Sequence, residues 1–293
     1  MCKKLLTAML MTILMMVFMA ASCFATGTTD WEGQKFTAIG SGVAPAKAVN
    51  IAQARIMARR AAVVDAYRQL AEAIRGVNVT SDTTVENMMV TSDVVKTKIS
   101  ASIKGARVIS EGPTPDGGYT VTMEVPMFGV SGSVSQAVIE PPQEQKAFPE
   151  PVPDVIPSLP ADTNSTAINQ FKVLPKAGDS PMAARGGFTG VIIDCRGLGL
   201  KPVMSPVIKN DRGLPIYGHE NLNYDLVVRD GMVGYASSMG STSRAGSNPL
   251  VIKAQSLTDH NANPVISTAD ANRLLIENGA SGFLNQTRVV FLR

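Results

Sequence analysis

Cysteine is scarce in this sequence. Of the three, Cys2 and Cys23 stand within the first 25 residues, which leaves Cys195 for the folded part. One thiol builds no intramolecular disulfide framework, so stability has to come from packed cores. Histidine is scarcer still, with His219 and His260 alone and no second histidine at metal-ligand spacing. Excess charge is missing too. Lys3 and Lys4 are two of the 27 basic residues, and without them 25 face 24 acidic ones. A chain so balanced has no field to gather polyanions, which argues against nucleic acid as a partner. No regular series of roughly 10-residue alternating strands with aromatic girdles is present, which argues against a transmembrane barrel.

What is present begins with an export signal over residues 1–25. Lys3 and Lys4 supply the positive start, Leu5 to Ala20 carries no charge, and small residues follow at Ala20, Ala21 and Ser22. The apolar run is short against the roughly 20 residues a span needs. No basic stop-transfer flank follows it, which favours a cleaved signal over a retained anchor. Two cleavage chemistries compete. Cys23-Phe24-Ala25 suits ordinary cleavage before Thr26, whereas Ala20-Ala21-Ser22-Cys23 resembles a bacterial lipobox with Ala20 in place of the usual Leu. In the second case Cys23 is acylated and attaches the protein to a membrane, each buried CH₂ adding about 0.8 kcal/mol of affinity.

After the signal the pattern predicts an α+β protein of two domains. The first, over 34–130, is an α/β module with one long helix on a small antiparallel sheet. Its helix runs from about Pro45 to Arg75, with Val49, Ala52, Ile56, Val63, Tyr67, Leu70 and Ile74 as the inward face. Strands are expected at Phe36–Gly40 and Val77–Thr80, and as a hairpin at Ala106–Glu111 and Tyr119–Val125. Ser92 to Lys104 fits helix and strand periods alike; Ser92-Asp93 as a cap and Gly105 as a stop favour helix. Prolines crowd residues 140–185, which read as an extended spacer. The second domain, 186–293, reads as mostly β with one helix. Its strands are expected at Phe188–Asp194, Val207–Lys209, Leu214–Tyr217, Leu226–Arg229, Met232–Ala236, Leu250–Ala254 and Arg288–Leu292. Its helix spans Thr268–Asn278, capped by Ser267 and ended by Gly279.

Several residues of the first domain carry a family likeness. They are Ala38-Ile39-Gly40-Ser41-Gly42, Ala52-Gln53-Ala54-Arg55, the run Ala61-Ala62-Val63-Val64-Asp65-Ala66-Tyr67-Arg68 and, further on, Ile103-Lys104-Gly105-Ala106 and Gly118-Tyr119-Thr120-Val121. Over Thr37 to Phe128 the chain resembles the small outer-membrane Lpp lipoproteins of twenty-kilodalton type, to which the N-terminal domain of flagellar assembly protein T is similar. The resemblance implies a compact α/β module, an envelope location and no known catalysis. It assigns no functional residues. The run from Gly190 to Leu200 is similar to a segment that accompanies such modules in some bacterial proteins.

Cys195 needs a base, and His219 and His260 are the candidates; a small buried hydrophobe is the competing account. Gly197-Leu198-Gly199 lacks the third glycine and following helix of a dinucleotide site, and reads as a tight turn. Asp259-His260-Asn261, with Asn263 and Asp270, offers metal ligands or a polar loop. Gly240–Asn248, with Arg244, offers hydrogen bonds to a sugar or anion, or a mobile hairpin tip. Arg55, Arg59, Arg60 and Arg68 form a basic stripe that meets anionic lipid or, interrupted by Asp65 and Glu72, is a solvated face. No catalytic, cofactor or metal residue is assigned, and Cys23 is the single modification site. The expectation is an exported, non-enzymatic envelope protein of the periplasm or outer membrane, structural or in assembly and linked to flagellar or outer-membrane assembly. Its partners would be envelope proteins or a second copy. The alternative is a periplasmic binding module for a glycan, lipid or peptide, its cleft lined by Tyr217, His219 and Tyr235.

Overall fold

The computed structural model describes residues 27–152 and 183–293. The expected export signal with Cys23, and the central part of the expected spacer at 153–182, lie outside the described residues. The described chain gathers into two compact units. One holds 27–28, Phe36–Ala73 and Ala106–Glu124; the other holds Thr29–Lys35, Ile74–Gly105, 125–152 and 183–293. The fold class is α+β, with the long helix and antiparallel sheet expected near the N-terminus and a mostly β second part.

One antiparallel-edged sheet has strands β1 (Thr28–Asp30), β2 (Lys35–Gly42), β3 (Arg107–Pro113) and β4 (Tyr119–Pro126), in the order β1-β2-β4-β3, and the first unit holds all of β3 and nearly all of β2 and β4. β3 and β4 are antiparallel, with a register shift between Val108 and Ser110. In β4, Val121 and Met123 are buried while Thr120, Thr122 and Glu124 alternate with them, the period-2 pattern of a half-buried strand.

Helix α1 (Ile51–Arg75) starts later than the sequence suggests. Asn50 rather than Pro45 sets the start. Its Oδ1 accepts from Gln53 N at 2.8 Å, and Gln53 Oε1 accepts from Val49 N at 2.9 Å, a variant of the capping box. The inward face is different as well. Val49 and Ile56 are exposed, and the buried line is Ala58, Ala62, Ala66 and Leu70, continuing to Ile74. Close approach explains the alanines. A Cβ on Gly40 would fall 2.0 Å from Ala62 O, and one on Gly42 2.2 Å from Ala58 O. The strand backbone lies directly on the helix backbone, where only small residues fit. Asp65 fastens the same contact, its Oδ2 accepting from Ser41 N at 3.0 Å and from Gln69 Nε2 at 2.8 Å.

In the second unit, helices α2 (Val85–Thr91) and α3 (Asp93–Lys104) follow one another. Ser92 caps α3 through Val95 N, and Val95 and Ile99 are buried, so the ambiguous stretch is helical. Val77–Thr80 forms no strand, only a bridge from Asn78 to Thr84. Its carbonyls are taken by Met204 N and Ser205 N instead.

Helix α4 (Ser135–Val138) and strands β5 (Gly190–Asp194), β6 (Ile208–Asn210) and β7 (Pro215–Tyr217) come next, then α5 (Tyr224–Asp230) and β8 (Gly234–Ala236). The chain closes with β9 (Pro249–Lys253), β10 (Ser256–Thr258), β11 (Asn263–Ile266), α6 (Thr268–Ser281) and β12 (Val289–Leu292). One sheet runs β8-β12-β5-β9, all parallel. Its central β12 is buried throughout and β5 nearly so, as strands covered on both faces are. The other runs β10-β11-β6-β7, with β11 parallel to β6 and the rest antiparallel.

Leu226–Arg229, expected as a strand, is helical. Asn223 caps it through Leu226 N, Gly231 at φ 77° stops it, and a three-residue apolar run fits either period. Helix α6 starts where expected, Ser267 Oγ accepting from Asp270 N at 3.0 Å. It passes Gly279 and ends before Gly282, the left-handed residue.

The described part of the proline-rich segment is docked rather than free. Lys146 N donates to Glu220 O at 2.8 Å, Phe148 stacks on Tyr217 at 6.2 Å, and Val152 exchanges two bonds with the Asn272 amide. On its far side Glu277, buried, accepts from Arg185 N and Gly186 N at 3.0 and 2.9 Å.

Candidate functional site

Cys195 follows the last residue of β5 and is 1% exposed. Its Sγ donates to Ile193 O at 3.7 Å. Burial, with a smaller contribution from the Asp194 charge, pushes the thiol up to about 12. The candidate bases are engaged elsewhere: His219 Nε2 with Glu140 O at 2.7 Å, and His260 Nδ1 with Asp82 at 3.3 Å. A nucleophile needs a thiolate and a base within reach, and Cys195 has neither. It is a core residue.

The tight turn after β5 is present, with Gly197 and Gly199 at φ 79° and 76° and Leu198 N donating to Cys195 O. Asp259, His260 and Asn261 all adopt left-handed φ, between 53° and 67°, in the turn between β10 and β11. The Asp259 carboxylate holds that turn by accepting from Lys209 Nζ at 2.6 Å, Asn263 Nδ2 at 2.7 Å and Thr258 Oγ1 at 3.2 Å. These donors, Lys209 first, hold its carboxyl below the ordinary aspartate value. Among the described residues no three His, Cys, Asp or Glu side chains gather as a metal site would need.

Tyr217 and Tyr235 do not line a cleft with His219. Both are buried, the Tyr217 hydroxyl donating to Met232 O at 2.6 Å and the Tyr235 hydroxyl bonding Val203 N and O. The Gly240–Asn248 stretch is a built structure rather than a loose hairpin tip. Short 3-10 turns at Met239–Ser241 and Ser243–Ala245 present Arg244 inward. Its Nε donates to Thr287 O at 2.7 Å, Nη1 to Asp230 O at 2.6 Å, and Nη2 to Gly231 O and Thr287 Oγ1. The guanidinium thus ties the end of α5 to the segment before β12. Burial draws it below the ordinary arginine value, against smaller opposing contributions from Tyr217 and Asp230.

Arg244 also lines the floor of a polar cleft of about 370 Å³ beside β8. Glu32, Gln34, Asp230, Ser243 and Gln286 share that lining. Ser241 and Ser237 hold the Glu32 carboxyl below the usual carboxylate range, and Arg229 does the same for Asp230. The cleft holds amides, hydroxyls, the ion-paired Asp230 carboxylate and the Glu32 carboxylate bonded by serine hydroxyls, a set that hydrogen-bonds a polar ligand. Apart from Arg244, sequence reading missed it, because its residues come from widely separated segments with no spacing to mark them.

The basic stripe divides in two. Arg68 pairs with Asp65 and Glu72, each at 2.8 Å, and Arg59 with Glu111 at 2.9 Å. Arg55 and Arg60 have no carboxylate partner among the described residues.

Comparison with known families gives two matches, each to a different part of the chain. Residues 30–126 match the LPP20 lipoprotein family. The LPP20-like segment therefore covers α1, both central strands of its sheet and the β3–β4 hairpin, where the resemblance was read. Residues 190–293 match the second domain of Tp0624 from Treponema pallidum. No curated protein matches the chain. Among the described residues no helix is long and apolar enough to cross a membrane.

Proposed function

We propose that this chain is an exported, lipid-anchored and non-enzymatic component of a bacterial cell envelope, in the periplasm or at the outer membrane. Its part there is in structure or assembly, through contacts with other envelope proteins. The observation that carries the reading is the LPP20 lipoprotein match beginning at residue 30, seven residues after a cysteine in lipobox context. The burial of Cys195, whose Sγ donates to Ile193 O, supports the non-enzymatic reading.

An edge strand supports the assembly role. β3 lies at the border of its sheet, and Val108 and Ile109 on it are exposed. An open edge of this kind accepts a further strand from a partner. A photo-crosslinking residue at Ile109 in growing cells is expected to capture a discrete envelope protein. Capture of flagellar proteins would specify the assembly; absence of any discrete product would count against an assembly role.

A second reading, a periplasmic binding module, is favoured by the polar cleft of Glu32, Gln34, Asp230, Arg244 and Gln286. Its convergent hydrogen-bonding groups suit a glycan better than a lipid tail. Titration with soluble cell-wall glycan fragments, followed by NMR shifts at Gln34 and Gln286, tests it; unmoved signals at both would remove it.

A further inference from the structure

After α4 the chain stays on the second unit. The Tyr224 hydroxyl donates to Ile139 O at 3.3 Å, and His219 Nε2 to Glu140 O at 2.7 Å. From there residues 141–152 form a strap in which Pro141, Pro142, Pro149 and Pro151 recur. The groups that hold this strap read main chain. Glu220 O accepts from Lys146 N at 2.8 Å, and Asn221 Nδ2 donates to Ala147 O at 3.0 Å. The Asn272 amide, on α6, takes both main-chain groups of Val152, at 2.8 and 2.7 Å. One side chain is read as well: the Phe148 ring lies nearly parallel to Tyr217, the two planes 9° apart.

Two observations set the strap apart from ordinary domain packing. No residue of 141–152 is buried, whereas Ile216 and Tyr217 at its seat are 2% and 0% exposed. A segment with exposed hydrogen bonds and little buried apolar surface belongs to the part of a fold that opens locally. Nor does the strap fill its seat. A cavity of about 570 Å³ remains beside it, lined by Lys146, Ala147 and Pro149 of the strap and by Val207, Lys209 and Asn263. That volume is ordinary for a ligand pocket.

We propose that the strap is a displaceable ligand in cis, and that its groove takes an extended peptide of a partner protein carrying an aromatic residue followed by proline, as Phe148-Pro149 is. The chemistry of that occupant is set by what the groove already holds. Side-chain amides and a carbonyl placed for an extended main chain select a peptide over a glycan or a lipid, and Tyr217 selects a flat ring. Proline pre-orders such a chain, so less conformational freedom is lost on docking. In cis the strap competes at the high effective concentration of a tethered ligand, which keeps weak competitors out. The groove is separate from the polar cleft of Glu32 and Arg244, and the proposal does not depend on acylation of Cys23.

The test uses the mature chain carrying Cys23→Ser and a fluorescein-labelled peptide of residues 140–152, read by fluorescence anisotropy. The parent strap should exclude the peptide. With the strap loosened by Phe148→Ala and Val152→Pro, the peptide is expected to bind saturably, at least about tenfold more tightly than to the parent. Adding Asn221→Ala and Asn272→Ala to the loosened chain should weaken binding about tenfold, and so should Phe148→Ala in the peptide, with circular dichroism unchanged. No saturable binding to the loosened chain, or equal binding without the two asparagines, overturns the proposal. Hydrogen exchange of the parent chain needs no variant. The Lys146 and Val152 amides should exchange well before those of β12, and exchange only on global unfolding overturns the proposal too. A concentration-dependent dimer of the parent chain, lost with Asn272→Ala, would put a second copy's strap in the groove and exclude the partner peptide.

Discussion

The α-carbon of Gly40 sits so close to Ala62 that a methyl group added to it would overlap the Ala62 carbonyl oxygen, at 2.0 Å. The obstacle is backbone, which no rotamer change can clear. Gly40→Ala is therefore expected to destabilise the LPP20-like unit by at least about 3 kcal/mol, the upper range for overpacking. Gly112→Ala is the control: nothing lies within 4 Å of its added Cβ, and its cost should stay within about 0.5 kcal/mol. Urea unfolding followed by helical circular dichroism compares the two, and similar midpoints would mean that the helix does not lie on the strand as described.

Cys195 should be inert in the native protein. Iodoacetamide at pH 8 is expected to leave it unmodified in native buffer and to label it fully in 6 M guanidinium, read by peptide mass spectrometry. The sign of the pH effect follows from the raised thiol. The unfolded chain ionises near the ordinary value of 9.0 while the folded one holds its proton to about 12. The stability that Cys195 contributes is complete below about pH 9 and is lost as pH rises toward 12. Cys195→Ala should flatten that alkaline decline, and an unchanged slope would show another group to be responsible.

Arg244 is a tie rather than a reactive group. Arg244→Met leaves the carbonyls of Asp230, Gly231 and Thr287 without their donor, with an expected cost of about 2–4 kcal/mol. Arg244→Lys should restore only part of it, since one ammonium cannot span acceptors that a planar fork reaches together. Thermal unfolding of the three proteins checks the order, and a melting temperature for Met equal to the parent would contradict the role.

Much of this fold is written in local pattern. The Ser267 cap, the Ser92 cap and the alternation in β4 each come from a few neighbouring residues, and each is found where it was read. The inward face of α1 holds as expected at Leu70 and Ile74, but its N-terminal half differs for a physical reason. Hydrophobic periodicity favours large side chains inward, but this part of the helix sits against Gly40 and Gly42, so Ala58 and Ala62 are buried and Ile56 and Val64 are left outside. Leu226–Arg229 was too short for its period to separate helix from strand. The parallel order β8-β12-β5-β9 and the polar cleft depend on residues distant along the chain, which no spacing announces. Burial of Cys195 at the end of a buried strand was legible; the structure adds that both histidines are engaged elsewhere.

The measurement that bears most directly on the account is the mass of the mature N-terminus in cells producing the wild-type chain or Cys23→Ser, combined with membrane fractionation. The account predicts a wild-type N-terminus at Cys23 carrying acyl chains, in the membrane fraction, and loss of that mass with Cys23→Ser. A wild-type N-terminus at Thr26 without lipid, released as a soluble periplasmic protein, would contradict the lipid-anchored reading.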